Sequence, residues 1–229
     1  MTARYALYAA PPPDHRLWSF GSSVIGYDAA AACDVPFPSH APCDSPDWTE
    51  LTEDPRRYGF HGTLKAPFAL AAGTGEAELL EAAMLFAERR QAFVVPALAV
   101  ALLGRFVALV PAEASASLAG LAADCVRDFD AFRAPLSEAD RARRLKAPLT
   151  DRQVAQLDAW GYPYVFEDFR FHMTLTGSLP EDRREAVRSA LATAYAAIAA
   201  PFAVDALCVF RQDDRAGRFT VLARFPFEA

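Results

Sequence analysis

Two histidines in this chain keep the same company. His61-Gly62-Thr63-Leu64 and His172-Met173-Thr174-Leu175 each place an imidazole two residues before a threonine. Side chains two apart share one face of a β-strand. His61, Thr63 and Lys65 therefore predict one polar face, and Arg170, His172, Thr174 and Thr176 a second. Phe171, Met173 and Leu175 point the other way, toward a core. Imidazole takes or gives a proton near neutral pH. With one on each side of a phosphoryl group, the first would deprotonate a nucleophile while the second protonates the leaving group. Thr63 and Thr174 would donate hydrogen bonds to equatorial oxygens, and Lys65 and Arg170 would offset the charge that builds there. In-line displacement at phosphorus is largely positioning and electrostatics. Neither a metal nor a cofactor is expected.

The elements that must hold these faces repeat as well. After the first histidine strand, residues 59–66, the spacing turns helical over Gly75–Arg90. Strands over Phe93–Leu103 and Arg105–Val110 then form a hairpin about Gly104. After the second histidine strand, Val165–Gly177, Pro180 opens a helix with a Val187, Leu191, Ala194, Ile198 stripe. Strands over Phe202–Arg211 and Arg218–Phe225 follow. Gly104-Arg105-Phe106-Val107 and Gly217-Arg218-Phe219-Thr220 hold matching places, 43 residues after His61 and 45 after His172. This order reads as an internal duplication. Two related lobes about a pseudo-two-fold axis would bring the polar strands face to face across a cleft. One bilobal domain over 1–229 is expected, its lobes at about 45–135 and 164–229 with an insertion at 136–163.

The insertion predicts two helices, Ser137–Lys146 and one opened by the Thr150/Gln153 capping box. Arg4–Ala10 predicts a strand, and Asp14–Gly21 and Ser45–Glu53 short helices, the second ended by Asp54-Pro55. Tyr27–Pro42 predicts a mobile loop, and Leu118–Phe132 an amphipathic helix. The basic run Arg141, Arg143, Arg144 and Lys146 reads as a solvated helix face or, folded over the cleft, as a substrate-selecting cap. Arg144 and Tyr164 are the candidate substrate contacts.

Apolar residues make up 53% and charged ones 23%, the balance of a chain that folds on its own. A formal charge of −6 argues against a broad nucleic-acid footprint, yet leaves room for a small phosphate ester gripped by local cations. Cys33, Cys43, Cys125 and Cys208 form no CxxC pair, so neither a disulfide framework nor a zinc site is expected. The longest apolar run, Phe93–Gly104, is too short to span a bilayer. Pro11-Pro12-Pro13 comes too early for a signal-peptide core, and a cytoplasmic protein is expected.

The paired motifs resemble the H-x-T/S-L pair of the two-histidine (2H) phosphoesterase superfamily, which includes cyclic phosphodiesterases and RNA 2′,5′-ligase-like proteins. The flanks, Tyr58 to Phe68 and Phe169 to Gly177, are closer still to a bacterial branch named for phosphonate metabolism. So are Leu145-Lys146-Ala147-Pro148-Leu149 and Trp160-Gly161-Tyr162-Pro163. The resemblance implies a bilobal α+β fold with antiparallel sheets lining a cleft and helices outside. It implies His61 and His172 as base and acid, and Thr63 and Thr174 as phosphate holders. The substrate it implies is a cyclic phosphate ester of a ribose-type sugar, either a 2′,3′-cyclic nucleotide or a cyclic ribose phosphate. A nucleotide or RNA-end binding module without turnover is the alternative. The likeness of the two motifs gives neither histidine priority as the acid.

Overall fold

The structure, a computed structural model, describes residues 3–228. Its first strand, β1 (Arg4–Ala9), stops short of three prolines that have no N–H to give a ladder. In α1 (Arg16–Ile25) the His15 ring accepts from the Leu17 N–H, and Gly26, at φ 77°, ends the helix beyond the expected Gly21. The stretch expected as a loop contains a small hairpin, β2 (Tyr27–Asp28) with β3 (Cys33–Asp34). Two short helices follow, α2 (Trp48–Leu51) and α3 (Glu53–Tyr58). Asp54-Pro55 does not terminate a helix as expected. Pro55 lies in the first turn of α3, where a missing N–H forfeits no intrahelical bond.

β4 (Gly62–Ala69) leads into α4 (Glu76–Ala87), whose Glu78 carboxylate accepts the Gly75 N–H. Pro96 separates β5 (Phe93–Val95) from β6 (Leu98–Leu103), and Gly104, at φ 63°, turns the chain back into β7 (Phe106–Pro111). The amphipathic helix is α5 (Ala116–Asp128), capped by Ser115. The insertion holds α6 (Glu138–Arg144), capped by Ser137, and α7 (Asp151–Trp160), opened by the Thr150/Gln153 box and closed by left-handed Gly161. β8 (Met173–Thr174), α8 (Arg184–Ala196), β9 (Phe202–Val204), β10 (Ala206–Gln212) and β11 (Thr220–Pro226) complete the chain. No helix among the described residues is long and apolar enough to cross a membrane, and all four cysteines are free.

This is an α+β fold built on one sheet, in the order β11-β10-β1-β4-β8-β7-β6, with every neighbouring pair antiparallel. The expected pair of sheets facing each other across a cleft is not what forms. The two histidine strands, β4 and β8, lie side by side and join the ladders of both halves into one. β1, which has no counterpart in the repeat, carries the β10–β11 hairpin on the far side. The repeated element order survives in how the halves exchange partners. β5 pairs with its counterpart β9, Phe93 opposite Val204 and Val95 opposite Phe202. α4 packs on β10 and β11, while α8 packs on β6 and β7. Each helix thus buries its stripe (Leu79, Ala83 and Phe86; Val187, Leu191 and Tyr195) on the other half's hairpin.

The second histidine strand is also far shorter than expected. Phe166 sits at φ 52° in a turn of 3₁₀ helix, Phe166–Asp168, which few bulky side chains adopt. Asp168 is held by Arg152 and Gln153 of α7, so the chain is drawn toward the insertion before it reaches the sheet. Regular pairing starts only at Met173, opposite Gly62 on one side and Leu109 on the other.

Gly62 is a glycine for a steric reason. A Cβ there would stand 2.3 Å from the Phe171 ring. Gly62→Ala should therefore cost about 1–3 kcal/mol of unfolding free energy through overpacking. In urea titration, adding Phe171→Leu should recover part of that loss, because the two changes share one contact.

Candidate active site

The β4–β8 pairing decides the geometry of the two motifs. Carrying the Gly62–Met173 register one residue each way sets His61 opposite Thr174 and Thr63 opposite His172. Opposite residues share a face, so all four polar side chains project from the same side of one sheet. The histidines are diagonal neighbours, a relation that spaces Cα atoms by about 7–8 Å. The cavities on this face agree. One of about 620 Å³ is lined by Thr63 and His172, with Arg170, Tyr162 and Tyr164 at its sides. A second, of about 480 Å³, is lined by His61 and Thr174 together with Tyr58. Phe106 borders both.

Each imidazole is oriented by the same local device. His61 Nδ1 lies 2.9 Å from the Gly59 carbonyl, and His172 Nδ1 lies 2.8 Å from the Arg170 carbonyl, two residues back in each case. A carbonyl only accepts, so Nδ1 carries the hydrogen in both neutral rings and Nε2 is left bare. The Thr63 hydroxyl donates to His61 Nε2 over 3.1 Å. Aromatic rings enclose both: Tyr8 from β1 stacks on His61 with centroids 3.6 Å apart, and Phe106 stands 5.7 Å from His172.

Enclosure sets the charge state. Burial lowers the His61 pKa to about 4, with the Gly59 hydrogen bond opposing and the nearby His172 adding to the depression. Burial also lowers His172, opposed by its bond to the Arg170 carbonyl. Both rings are neutral at pH 7. The cause is lost hydration and not the charges of Lys65 and Arg170.

Lys65 belongs elsewhere. It is 3% exposed, and its ammonium donates to the Val126 carbonyl near the end of α5 and pairs with Asp130 at 3.2 Å. The expected phosphate contact is thereby corrected: α5 covers this part of the polar face, and a cation so enclosed needs its fixed acceptors. Arg170 is exposed on the wall of the larger cavity and makes no ion pair among the described residues, neither with Glu167 nor with Asp168. Tyr164, 41% exposed, lines the same wall. Arg144 lies apart from it, stacked 4.8 Å above the Tyr162 ring and lining a different cavity. Thr176 is structural: its hydroxyl accepts the Val107 N–H and donates to the Gly177 carbonyl.

Sequence reasoning favours core or rim packing over ligand stacking for Tyr8 and passes over Phe106. The second had a signal, the repeated Gly-Arg-Phe, whose other copy puts Phe219 5.5 Å from Tyr58, itself beside His61. Among the described residues no three His, Cys, Asp or Glu side chains converge as they would around a metal ion.

Comparison with known proteins shows the family. The family described as "Protein of unknown function (DUF1045)" matches residues 63–220, which take in Thr63 and the whole second motif. The chain belongs to the DUF1045 family. It is 40% identical, over 98% of its length, to a Janthinobacterium sp. (strain Marseille) protein named ribose 1,5-bisphosphate phosphokinase PhnN. A Laribacter hongkongensis (strain HLHK9) protein of the same name is 39% identical over 78% of the chain. The matches cover 51% and 41% of those proteins, so the chain spans about half their length or less. Among solved structures it is similar to Escherichia coli LigT complexed with 3′-AMP, with TM-score 0.48 and 15% identity over 100% of both chains. A structure described as a phosphoesterase matches with TM-score 0.43 and 15% identity, again over 100% of both chains.

Three outcomes follow from the electrostatics. In proton NMR, His61 should titrate near pH 4 and His172 below the ordinary 6.5, and bound inorganic phosphate should raise both, since an anion favours imidazolium. Between pH 6.5 and 4 the unfolded chain takes up a proton that folded His61 refuses. Stability should therefore fall as pH drops through that window, and His61→Asn should flatten the slope. Lys65→Met should act on stability, costing about 1–3 kcal/mol by urea titration, because the Val126 carbonyl and Asp130 lose a donor. A change confined to KM would return Lys65 to the phosphate.

Proposed function

We propose that this chain is a phosphodiesterase that opens a cyclic phosphate ester of a ribose-type sugar, with His61 and His172 as its acid–base pair. One observation carries the reading. Two neutral imidazoles present bare Nε2 atoms from diagonal positions of one sheet face, each opposite a threonine of the other strand. A phosphoryl group seated among them meets a base on one side, an acid on the other and a hydroxyl donor near each of two equatorial oxygens. Water gives its proton to one Nε2 as it attacks phosphorus. The endocyclic P–O bond breaks in line, and the departing sugar oxygen takes the proton carried by the other Nε2. One ring must therefore be protonated in the complex. The negative charge of the phosphodiester favours this by raising pKa values that burial has lowered. The step routes no proton through a metal.

The relatives' name supports a ribose phosphate as the ligand class, but it names a phosphokinase. This chain contains no G-x-x-x-x-G-K-[ST] loop, and its two lysines, Lys65 and Lys146, each follow a leucine. We assign phosphotransfer to the part of those longer proteins that this chain does not span. Opening a cyclic ester leaves a ribose phosphate monoester, the class of compound such a kinase would consume.

Assays with chelator present should compare nucleoside 2′,3′-cyclic phosphates, a ribose 1,2-cyclic phosphate and ADP-ribose 1″,2″-cyclic phosphate. His61→Ala and His172→Ala should each lower kcat by about 10²–10⁴ on the preferred ester. Thr63→Ala and Thr174→Ala should cost about 10–100-fold, the worth of one hydrogen bond to a charged group. The pH profile of kcat/KM should be a bell belonging to the pair, with its alkaline limb below 6.5, since both free-enzyme values are depressed. Turnover untouched by both histidine changes would overturn the reading. Tight binding of an ester without product over days would make the chain a binding module.

A further inference from the structure

A cavity of about 690 Å³ opens at the end of β4 remote from His61, between Arg4 of β1, α6 and the β10–β11 turn that carries Arg215. Five arginines line it, Arg4, Arg133, Arg143, Arg144 and Arg215, against one carboxylate, Asp140. Asp140 builds the frame. Arg215 donates to it twice, Arg143 pairs with it at 3.0 Å, and the Ser137 hydroxyl donates to it over 3.0 Å. Arg133 is held by Asp130 and the Ala159 carbonyl. Two carboxylates thus serve five guanidinium groups, in a chain whose formal net charge is −6. At least three positive charges around this cavity lack a counterpart.

Arg4 and Arg144 are the two left over. Arg4 lies over the Phe219 ring at 5.5 Å and gives Nε and Nη2 to the Gln212 side-chain oxygen, an uncharged acceptor. Its Nη1 has no partner among the described residues. Arg144 lies over the Tyr162 ring at 4.8 Å and makes no hydrogen bond or ion pair among the described residues. Its Nε is shut in without a partner, whereas its Nη groups are not shut in. Stacking occupies the flat face of a guanidinium and holds it still, which leaves the N–H edge ready for an acceptor. A half-buried cation with no anion is costly, and more so among other cations. An anion in the cavity would relieve both costs.

We propose that this cavity is a second binding site of the chain, taking a small molecule that carries a phosphate monoester, with Arg144 and Arg4 as its forks. A guanidinium fork matches phosphate oxygens pairwise. A phosphate monoester at neutral pH carries about two negative charges, closer to the unmatched charge here than a single carboxylate would be. The net charge of the chain disfavours a nucleic-acid backbone as the occupant. None of His61, Thr63, His172 and Thr174 lines this cavity. Arg144 lies over Tyr162, which lines the cavity of Thr63 and His172 and not this one. The site is therefore separate from the histidine face, and it does not depend on the phosphodiesterase reading.

Calorimetry with inorganic phosphate and with glycerol 2-phosphate tests this, using the full chain with His61→Ala and His172→Ala combined so that the histidine face is silenced. Both probes should still bind at one site, and added salt should weaken them. Arg144→Gln and Arg4→Gln, each added to that background, should weaken binding by about tenfold or more. Arg144→Lys should recover only part of the loss, since it restores the charge without the fork. Acetate should bind about tenfold or more weakly than phosphate. In the otherwise wild-type protein, phosphate should raise the Tm less once Arg144→Gln is present, a difference that a purely structural arginine would not produce. Should Arg144→Gln fail to fold, Arg4→Gln carries the test. Absence of phosphate binding in the double histidine variant would overturn the site, as would binding that Arg144→Gln and Arg4→Gln both leave unchanged. Acetate bound as tightly as phosphate would overturn the ligand class.

Discussion

The short contact between β4 and β8 is the constraint on which the rest depends. It is one residue pair deep, Gly62 opposite Met173, yet it brings the two motifs together and sets their register. Because side chains alternate, a slip of one residue would send His172 and Thr174 into the core and bring Met173 and Phe171 out. The junction is held from several directions. Leu175 and Thr176 N–H groups both reach the Val107 carbonyl, and the Thr176 hydroxyl takes the Val107 N–H in return. Phe171, Met173 and Leu175 are all buried. A strand that pairs over two residues is thereby fixed by its apolar face and by a threonine, not by the length of its ladder.

From this junction comes an electrostatic arrangement unlike a simple cationic phosphate grip. Nearest the two imidazoles the sheet offers rings and hydroxyls, and the cation expected beside His61 is spent on α5. Lys65 meets the Val126 carbonyl near that helix's negative end, so one side chain satisfies a backbone acceptor and balances Asp130. Burial by Tyr8 and Phe106 then leaves both histidines neutral. The burial that leaves the rings neutral also makes them weak bases, and a negative charge placed beside them is what would raise their pKa values again.

Much of this was legible in the residues themselves. Alternation alone separates the buried Phe171, Met173 and Leu175 from the site face, and the Thr150/Gln153 box and Gly161 mark both ends of α7. The repeated Gly-Arg-Phe locates both hairpins. Periodicity says which side chains share a face, however, and not what covers that face. It therefore placed Lys65 with the phosphate, where α5 in fact buries it. Nor does a repeat say how its copies meet. Face-to-face lobes and edge-to-edge strands satisfy the same pattern, and β1, a strand outside the repeat, decides between them by carrying β10 and β11 to the far edge. Phe166 at φ 52° and the pull of Asp168 on α7 are tertiary effects, and they shortened a strand that its residues alone would extend.

The segment between the two halves, residues 136–163, also bears on the candidate site. Its helices reach the site by two separate routes. Arg152 and Gln153 of α7 hold Asp168 just before Arg170 and His172, so α7 helps set the approach of the second motif. Arg144 of α6 lies on Tyr162, which follows the glycine that ends α7. Neither contact involves the Nε2 atoms that would move protons. A change in α6 would therefore act on the cavity wall at Tyr162, on the His172 side, and on neither imidazole directly. Arg152, Gln153 and Tyr162, all from the segment between the two halves, line the cavity that Thr63 and His172 share, so this segment shapes a wall that the sheet itself does not supply.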